Sequence, residues 1–506
     1  MADELILAHD LGTSSDKACL FDVHGNFLAE AYHQYPVYYP EQGWAEQNPR
    51  DWWDAVKVTS REVMKKADVE ACDVKAISFS AHGMGVIPVD KSGELLCERT
   101  MVWMDARSTK EAKQILEQTG IREHYDKTGN SFDMALYPAA KILWIKRNMP
   151  DVYKKTYKFL GTKEYLIHKM TGVISHTDYT EVGLSGFYNL HTHEFDEELL
   201  RASEVDEHKL PEAADVTKVM GELTAAAAAE MGLAAGTPVV LGSWDNFACA
   251  TGGGGRTKGN MVAYLGTAGW LGATHNQPLM SEDFMSNVVY VGEGTYFTTA
   301  HSNSACASYE WVIDNACGYL RESENPYAEA DRLAAEVCSG SDNLFFLPSF
   351  FSGNTFYSDA SLRGGFLGIS AGHTNGHIIR AAMEGVGFDL MMGADFFRSM
   401  GALPKEAVLI GGGAKSDLWR KILASMFGIS LVRPKNLQHI GALGAAIYAG
   451  VGTGLMPNFE YAARIIRSDD VTEPMQSEME VYRELLPIFC DFYESLIPIY
   501  RKLAER

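Results

Sequence analysis

A strand, turn and strand near the start of the chain is echoed near its middle, and this duplication constrains the fold more than any other feature. The first copy is LILAHDLGTSSDKACLFD, Leu5 to Asp22, where two apolar runs flank the hydroxyl-rich turn Leu11-Gly12-Thr13-Ser14-Ser15. The second is GNMVAYLGTAGWLGATH, Gly259 to His275, with Leu265-Gly266-Thr267 between two apolar runs. Each copy heads its own half of a 506-residue chain. A chain of this length outgrows one hydrophobic core, so two domains of roughly 250 residues are expected. The echo makes them related domains facing one another across a cleft.

The boundary is marked by AAGTPVVLGSWDNFACATGGGG, in which a buried-looking strand from Pro238 to Leu241 runs into Gly242, Asp245 and the glycine run 252–255. The junction is placed there, giving an N-terminal domain over 1–244 and a C-terminal domain over 245–506. Leu5 to about Glu30 reads as an antiparallel meander. Next come a helix whose first turn carries Pro49 and Asp51, then candidate strands at Lys75–Ala81 and Gly85–Asp90. Residues from roughly 108 to 210 read as helical and loop-rich. In the second half, a strand at Ala407–Ile410 passes through Gly411-Gly412-Gly413 into a helix capped by Ser416 and stopped by Gly428. The last stretch predicts one or two amphipathic helices broken near Pro487 and Pro498.

Lys and Arg number 44 against 66 Asp and Glu, a formal charge of −22. Such a surface repels nucleic-acid backbones and anionic lipid, so neither is expected as a partner. An anionic ligand must then be held by local devices: backbone N–H groups, one or two cations, or a divalent metal. The eight cysteines include no C-x-x-C pair, which favours reduced thiols over disulfides or a zinc site. The opening MADELILAHD is acidic, unlike a signal peptide, and the stretch 223–241 is too interrupted to span a bilayer. A soluble cytoplasmic protein is expected.

Four constellations can carry chemistry. In the first turn, N–H groups and hydroxyls can cradle phosphate oxygens while Asp10 at the strand end holds Mg2+, although an isolated turn of this kind is also ordinary hairpin chemistry. The second copy has Tyr264 where the first has Asp10, so the metal duty is not duplicated. In Gly242-Ser243-Trp244-Asp245-Asn246, the aspartate can accept a proton from a substrate hydroxyl or cap the following helix. Gly411 to Ser416 can admit a ring or phosphate to a helix N-terminus, or can be a tight connection. No dinucleotide fingerprint and no P-loop string is present. His82, with Trp103-Met104-Asp105-Ala106-Arg107, suits a polyhydroxylated ligand; the same residues also fit a core histidine and a local ion pair.

The strings DLGTSS, WMDAR, SWDN, LGTAGW, LIGGGAKSDLWRKILA and GALGAA together resemble the FGGY family of carbohydrate kinases, in the actin-like ATPase superfamily. GGFLGISAGHTNGHIIRAAMEG, Gly364 to Gly385, is similar to that family's second signature, and the likeness runs from about Leu5 to Gly454. AHG with DN is most similar to the xylulose kinase branch. The resemblance implies two ribonuclease-H-like α/β domains with a cleft between them, ATP and Mg2+ in the cleft, and γ-phosphoryl transfer to a sugar or polyol hydroxyl, most readily that of a ketopentose. It implies Asp245 as general base, Asp10 as the Mg2+-linked carboxylate, and Thr13, Ser14, Gly266 and Thr267 on the phosphates. Gly412, Gly413 and Ser416 would meet the adenosine, and His82, Asp245 and Asn246, with Trp103, Asp105 and Arg107, the sugar. A homodimer is common in the family. Two departures redraw the sugar pocket: Ser80-Ala81 replace a larger glutamine and methionine, and Ser243-Trp244 replace glycines. Another ketose, a polyol or a sugar acid is the alternative substrate; a non-kinase actin-like ATPase and a sugar-sensing pseudoenzyme are the alternative classes.

Overall fold

The computed structural model describes residues 4–255, 259–290, 294–350, 353–466, 468 and 470–505. Met1 to Asp3, part of the acidic opening, lie outside them. The meander forms as predicted: β1 (Leu5–Leu11), β2 (Ser15–Asp22) and β3 (Phe27–Gln34) pair antiparallel in sequence order. Helix α1 (Pro49–Ala67) starts at Asn48, whose side chain accepts the Arg50 N–H, and Pro49 occupies its first turn. It returns the chain to β4 (Val74–Ala81), parallel to β1. After the long helical insertion, β5 (Pro238–Val240) lies parallel to β4, and β6 (Ser243–Trp244) pairs with the end of β4. The sheet order is β3-β2-β1-β4-β5. Of the candidate strand 85–90 only Ile87–Val89 is extended, and it pairs with Lys158–Leu160 outside this sheet.

The second half repeats the plan. β7 (Met261–Leu265), β8 (Gly269–His275) and β9 (Tyr296–Ser302) form an antiparallel meander, β10 (Glu406–Ile410) lies parallel to β7, and β11 (Ser430–Val432) parallel to β10. Over these five strands the order β9-β8-β7-β10-β11 repeats that of the first sheet, and Ser286–Val289 adds an edge strand beyond β9. The echo in the sequence is therefore a duplicated ribonuclease-H-like unit.

The halves are joined by two helices that cross. α2 (Asp245–Gly252) opens just after β6, and α5 (Ile440–Thr453) returns from the second half to lie on β1 and β4. In the second unit α5 is preceded by α3 (Asn375–Ser399) and α4 (Asp417–Phe427). The crossing is backbone-close: a Cβ at Gly444 would stand 1.9 Å from the Ala248 carbonyl oxygen, and one at Gly252 would stand 2.0 Å from that of Ile440. Only glycine permits that approach. Ile6 and Ala8 of β1 share one buried cluster with Ala442, Ala445 and Ala446 of α5, while Leu5, Leu7 and Leu11 face the α1 side.

The C-terminal segment departs from expectation. It is one helix, α6 (Gln476–Ala504), running through both Pro487 and Pro498. Both prolines are exposed, and the buried stripe Tyr482, Phe489, Tyr493 holds the helix to the core. Water can satisfy the carbonyls that the prolines release, so packing carries the helix past them. Among the described residues no helix is long and apolar enough to cross a membrane.

Candidate active site

Alternation along β1 places Asp10 on the face of Ile6 and Ala8, toward α5, at the strand end where the cleft opens. Ser80, its neighbour on β4, donates to Asp10 Oδ1 at 2.6 Å, and Oδ2 has no partner among the described residues. Asp245 begins α2 beside it. Burial pushes the Asp245 carboxyl up to about 7, and the Asp10 carboxylate adds to the rise. Asp10 is itself raised by burial, against the Ser80 hydrogen bond and the charge of Lys17. The same two acids raise the Cys249 thiol and the Tyr264 phenol after burial, which places both groups beside them. The first turn of α5 completes the wall: a Cβ at Gly441 would lie 3.0 Å from each Asp10 oxygen. Recessed hard oxygen donors this short of positive charge fit Mg2+.

The β1–β2 turn is held from below and beside. Tyr35 Oη donates to the Gly12 carbonyl at 2.5 Å, with the Ser15 carbonyl at 2.9 Å. Gln47 donates to the Thr13 carbonyl at 2.7 Å, and Trp103 Nε1 to Thr13 Oγ1 at 3.0 Å. Ser14 at the tip is exposed. The turn and the WMDAR segment, distant in sequence, are thus in contact.

On the acceptor side His82 is buried, its N–H donating to the Leu11 carbonyl at 2.9 Å. Its ring stands edge-on to Trp52 at 5.4 Å, with Nδ1 3.4 Å from Thr162 Oγ1. Burial and then the charge of Lys141 lower it to about 4, so the ring is neutral at physiological pH, and Nε2 has no partner among the described residues. Asp105 and Arg107, expected on the sugar, are closed on each other. Asp105 accepts from Arg107 Nε, at 2.9 and 3.0 Å, from Arg107 Nη2 at 2.6 Å, and from the Ala45 N–H at 2.7 Å. Arg107 also pairs with Glu46 and lies 3.5 Å over Trp44. Adjacent opposite charges have found each other, and their effect is to fix the segment that presents Trp103. Asn246 is exposed, its N–H donating to Asp245 Oδ1 at 2.7 Å.

Across the cleft a cavity of about 650 Å³ gathers Gly266, Thr267, Gly412, Gly413 and Ser416, five of the predicted nucleotide residues, with Tyr264 at its edge. Gly411 needs its φ of 93° because a Cβ would stand 2.5 Å from the Leu265 carbonyl oxygen; Gly412 opens onto free space. Ser416 Oγ accepts the Trp419 N–H at 3.0 Å, capping α4 as predicted, and the N-terminus of that helix meets the cavity. Thr13 and Ser14 are not among its walls.

Two sheets of one plan, hinged by crossing helices, with paired acids on one wall and a glycine-lined cavity on the other, define the actin-like ATPase class. Within that class the chain belongs to the FGGY family of carbohydrate kinases: residues 5–252 match that family's N-terminal domain and 261–453 its C-terminal domain. A xylulose kinase of Bacillus subtilis (strain 168) is 28% identical over 96% of both chains. A gluconokinase of the same strain is 27% identical over 99% of this chain and 98% of its own. The crystal structure of a ligand-bound xylulose kinase from Lactobacillus acidophilus superposes with a TM-score of 0.89, at 27% identity and 99% coverage of both chains.

Sequence reading missed several residues of this site. Lys17 is the cross-strand partner of Asp10 and donates to the Gln438 carbonyl at 3.4 Å; numbering outward from the turn would have found it. Trp270 stacks on Tyr264 at 5.5 Å, its buried Nε1 without a partner among the described residues. Asn325, Tyr327 and Asp331 wall the cavity from a helix with no string of its own to announce it.

Proposed function

We propose that the chain is an ATP-dependent ketopentose kinase, with xylulose as acceptor and Asp245 as the general base. The observation that carries this reading is the facing pair Asp10 and Asp245, with Asp245 held at about 7, where a carboxylate balances being ionised against accepting a proton. A sugar hydroxyl poised at Asp245 can release its proton there as it attacks the γ-phosphorus, and phosphoryl transfer otherwise asks only for positioning and charge stabilisation.

In this reading Thr13, Ser14, Gly266 and Thr267 hold phosphates through N–H groups and hydroxyls, with Lys17 as a nearby cation. Gly412, Gly413 and Ser416 receive the adenosine. Asp10 holds Mg2+, which supplies charge neutralisation on the phosphates. The division at 244/245 then leaves the metal, the first phosphate turn and His82 on one side, and the second phosphate turn and the adenosine site on the other, with Asp245 at the seam. Neutral His82 offers its Nε2, without a partner among the described residues, to a sugar hydroxyl, and Trp103 and Asn246 are assigned to the same substrate.

Charge supports a neutral sugar over a sugar acid. Lys141 Nζ donates to the carbonyls of Met84, Val102 and Trp103 at 3.0, 2.8 and 3.3 Å. Lys163 lies 2.6 Å from Glu164 and Asp178, and Arg107 is closed on Asp105 and Glu46. The cations around His82 are therefore engaged, and in this reading Lys17 beside Asp10 serves the phosphates, so a substrate carboxylate would meet Asp10 and Asp245 with no cation reserved for it.

Asp245→Asn tests the assignment. Sugar-dependent ADP release is expected to fall about 100- to 10,000-fold, the ordinary worth of a general base, while ATP affinity is retained. Turnover near the wild-type rate would end it.

A further inference from the structure

Behind the acceptor wall lies a lysine that stability alone does not explain. Lys163, 1% exposed in the helix Thr162–Thr171, has its Nζ 2.6 Å from Glu164 Oε1, 2.6 Å from Asp178 Oδ2 and 3.7 Å from Glu181 Oε2. Burial pulls the ammonium down, and the carboxylates of Asp178, Glu164 and Glu181 outweigh it, so the cation stays charged. Such a buried cluster gains little over apolar side chains of equal volume. What it does provide is fixed geometry.

The geometry leads to the base. Asp178 Oδ1 accepts the Thr180 N–H at 2.8 Å and the Thr180 hydroxyl, and Thr180 Oγ1 accepts the Trp244 N–H at 3.2 Å. Trp244 is the residue before Asp245 and the N-cap of α2. The same stretch also braces the other side of the pocket. Glu181 Oε1 accepts the Met84 N–H at 2.8 Å. A Cβ at Gly83 would lie 2.7 Å from Glu181 Oε2 and 2.8 Å from the Trp244 ring, so the turn after His82 is pressed between them. Lys163, Asp178 and Thr180 are all buried, and no step of the chemistry above uses them.

We propose that the Lys163, Asp178 and Thr180 chain is a positioning device that sets Asp245 against His82 through the Trp244 backbone. The inference rests on the kinase reading. Thr180→Val keeps the shape and removes the acceptor of the Trp244 N–H, whereas Thr180→Ser restores it. Lys163→Met keeps the length without the charge.

The test is sugar-dependent ADP release by the full chain with D-xylulose, alongside thermal midpoints. Thr180→Val is expected to lower kcat about 10- to 100-fold, as a misplaced group does, with the KM for ATP within about twofold and Thr180→Ser restoring the rate. Lys163→Met is expected to lower kcat similarly and also to lower the thermal midpoint, because it leaves Asp178 and Glu164 buried without their counter-charge. If Lys163→Met does not fold, the Thr180 pair decides. Unchanged kcat in Thr180→Val, or a serine variant no better than valine, overturns the proposal alone. A wild-type chain with no sugar-stimulated turnover overturns the kinase reading and the proposal with it.

Discussion

The departures Ala81 and Trp244 are neighbours in the structure. They are register partners on the parallel pair β4 and β6, as are Ser80 and Ser243 one position earlier. In-register neighbours are adjacent, so a larger side chain at one position is expected to press on the other. Ala81→Met alone should overpack the wall by about 1 to 3 kcal/mol, and adding Trp244→Gly should relieve much of it, a non-additive cycle in denaturant unfolding. Additive costs would show the sites independent. Asp245 gives a second expectation at this scale. Its carboxyl is held at about 7 against an ordinary 3.8, so the fold favours the neutral form. That contribution is fully present below the ordinary value and is lost as pH rises through about 7. The thermal midpoint of Asp245→Asn should therefore gain on wild type as pH goes from about 4 to 8; a constant gap would contradict the raised carboxyl. The sequence carried Asp10 and Asp245 because each is a polar residue ending an apolar strand. It could not say that Asp105 and Arg107 face each other, since two charges two residues apart serve a ligand or one another equally well.

Elements with a strict period were legible. β1 to β3, α1 and α4 follow from alternation, first-turn signals, caps and stops, and the Ser416 cap of α4 forms as read. α6 was not, because local rules end a helix at proline while the buried stripe Tyr482, Phe489 and Tyr493 prevails. The prolines should still be costly. Pro487→Ala is expected to stabilise the chain by ~1 to 3 kcal/mol in urea unfolding, since it returns a helical N–H on the exposed face. No gain would mean that the helix is already kinked without strain. The return of α5 to the first sheet was also unreadable. It depends on Gly444 and Gly252 meeting backbone across nearly two hundred residues, and no local pattern encodes a partner so distant.

At the scale of the molecule, duplication was visible as a repeated turn, and the sheets confirm it over five strands. The asymmetry between copies matters as much. Asp10 in one and Tyr264 in the other turn a symmetric scaffold into a cleft with an acidic wall and a nucleotide-sized cavity. Hinge closure through α2 and α5 would bring the walls together and exclude water, the usual guard against hydrolysis of the phosphate donor. What duplication does not encode is the acceptor, because epimers differ by one hydroxyl whose partner is a matter of atomic placement. In the proposed reading the engaged cations around His82 favour a neutral sugar. The most direct test is ADP release over a panel of D-xylulose, other pentuloses, hexuloses, polyols, glycerol and gluconate. The expected result is the highest kcat/KM for a neutral ketopentose, with gluconate at least about tenfold poorer, a difference of roughly 1.4 kcal/mol at the transition state. Gluconate as the best substrate, or no sugar that stimulates turnover, would contradict the account.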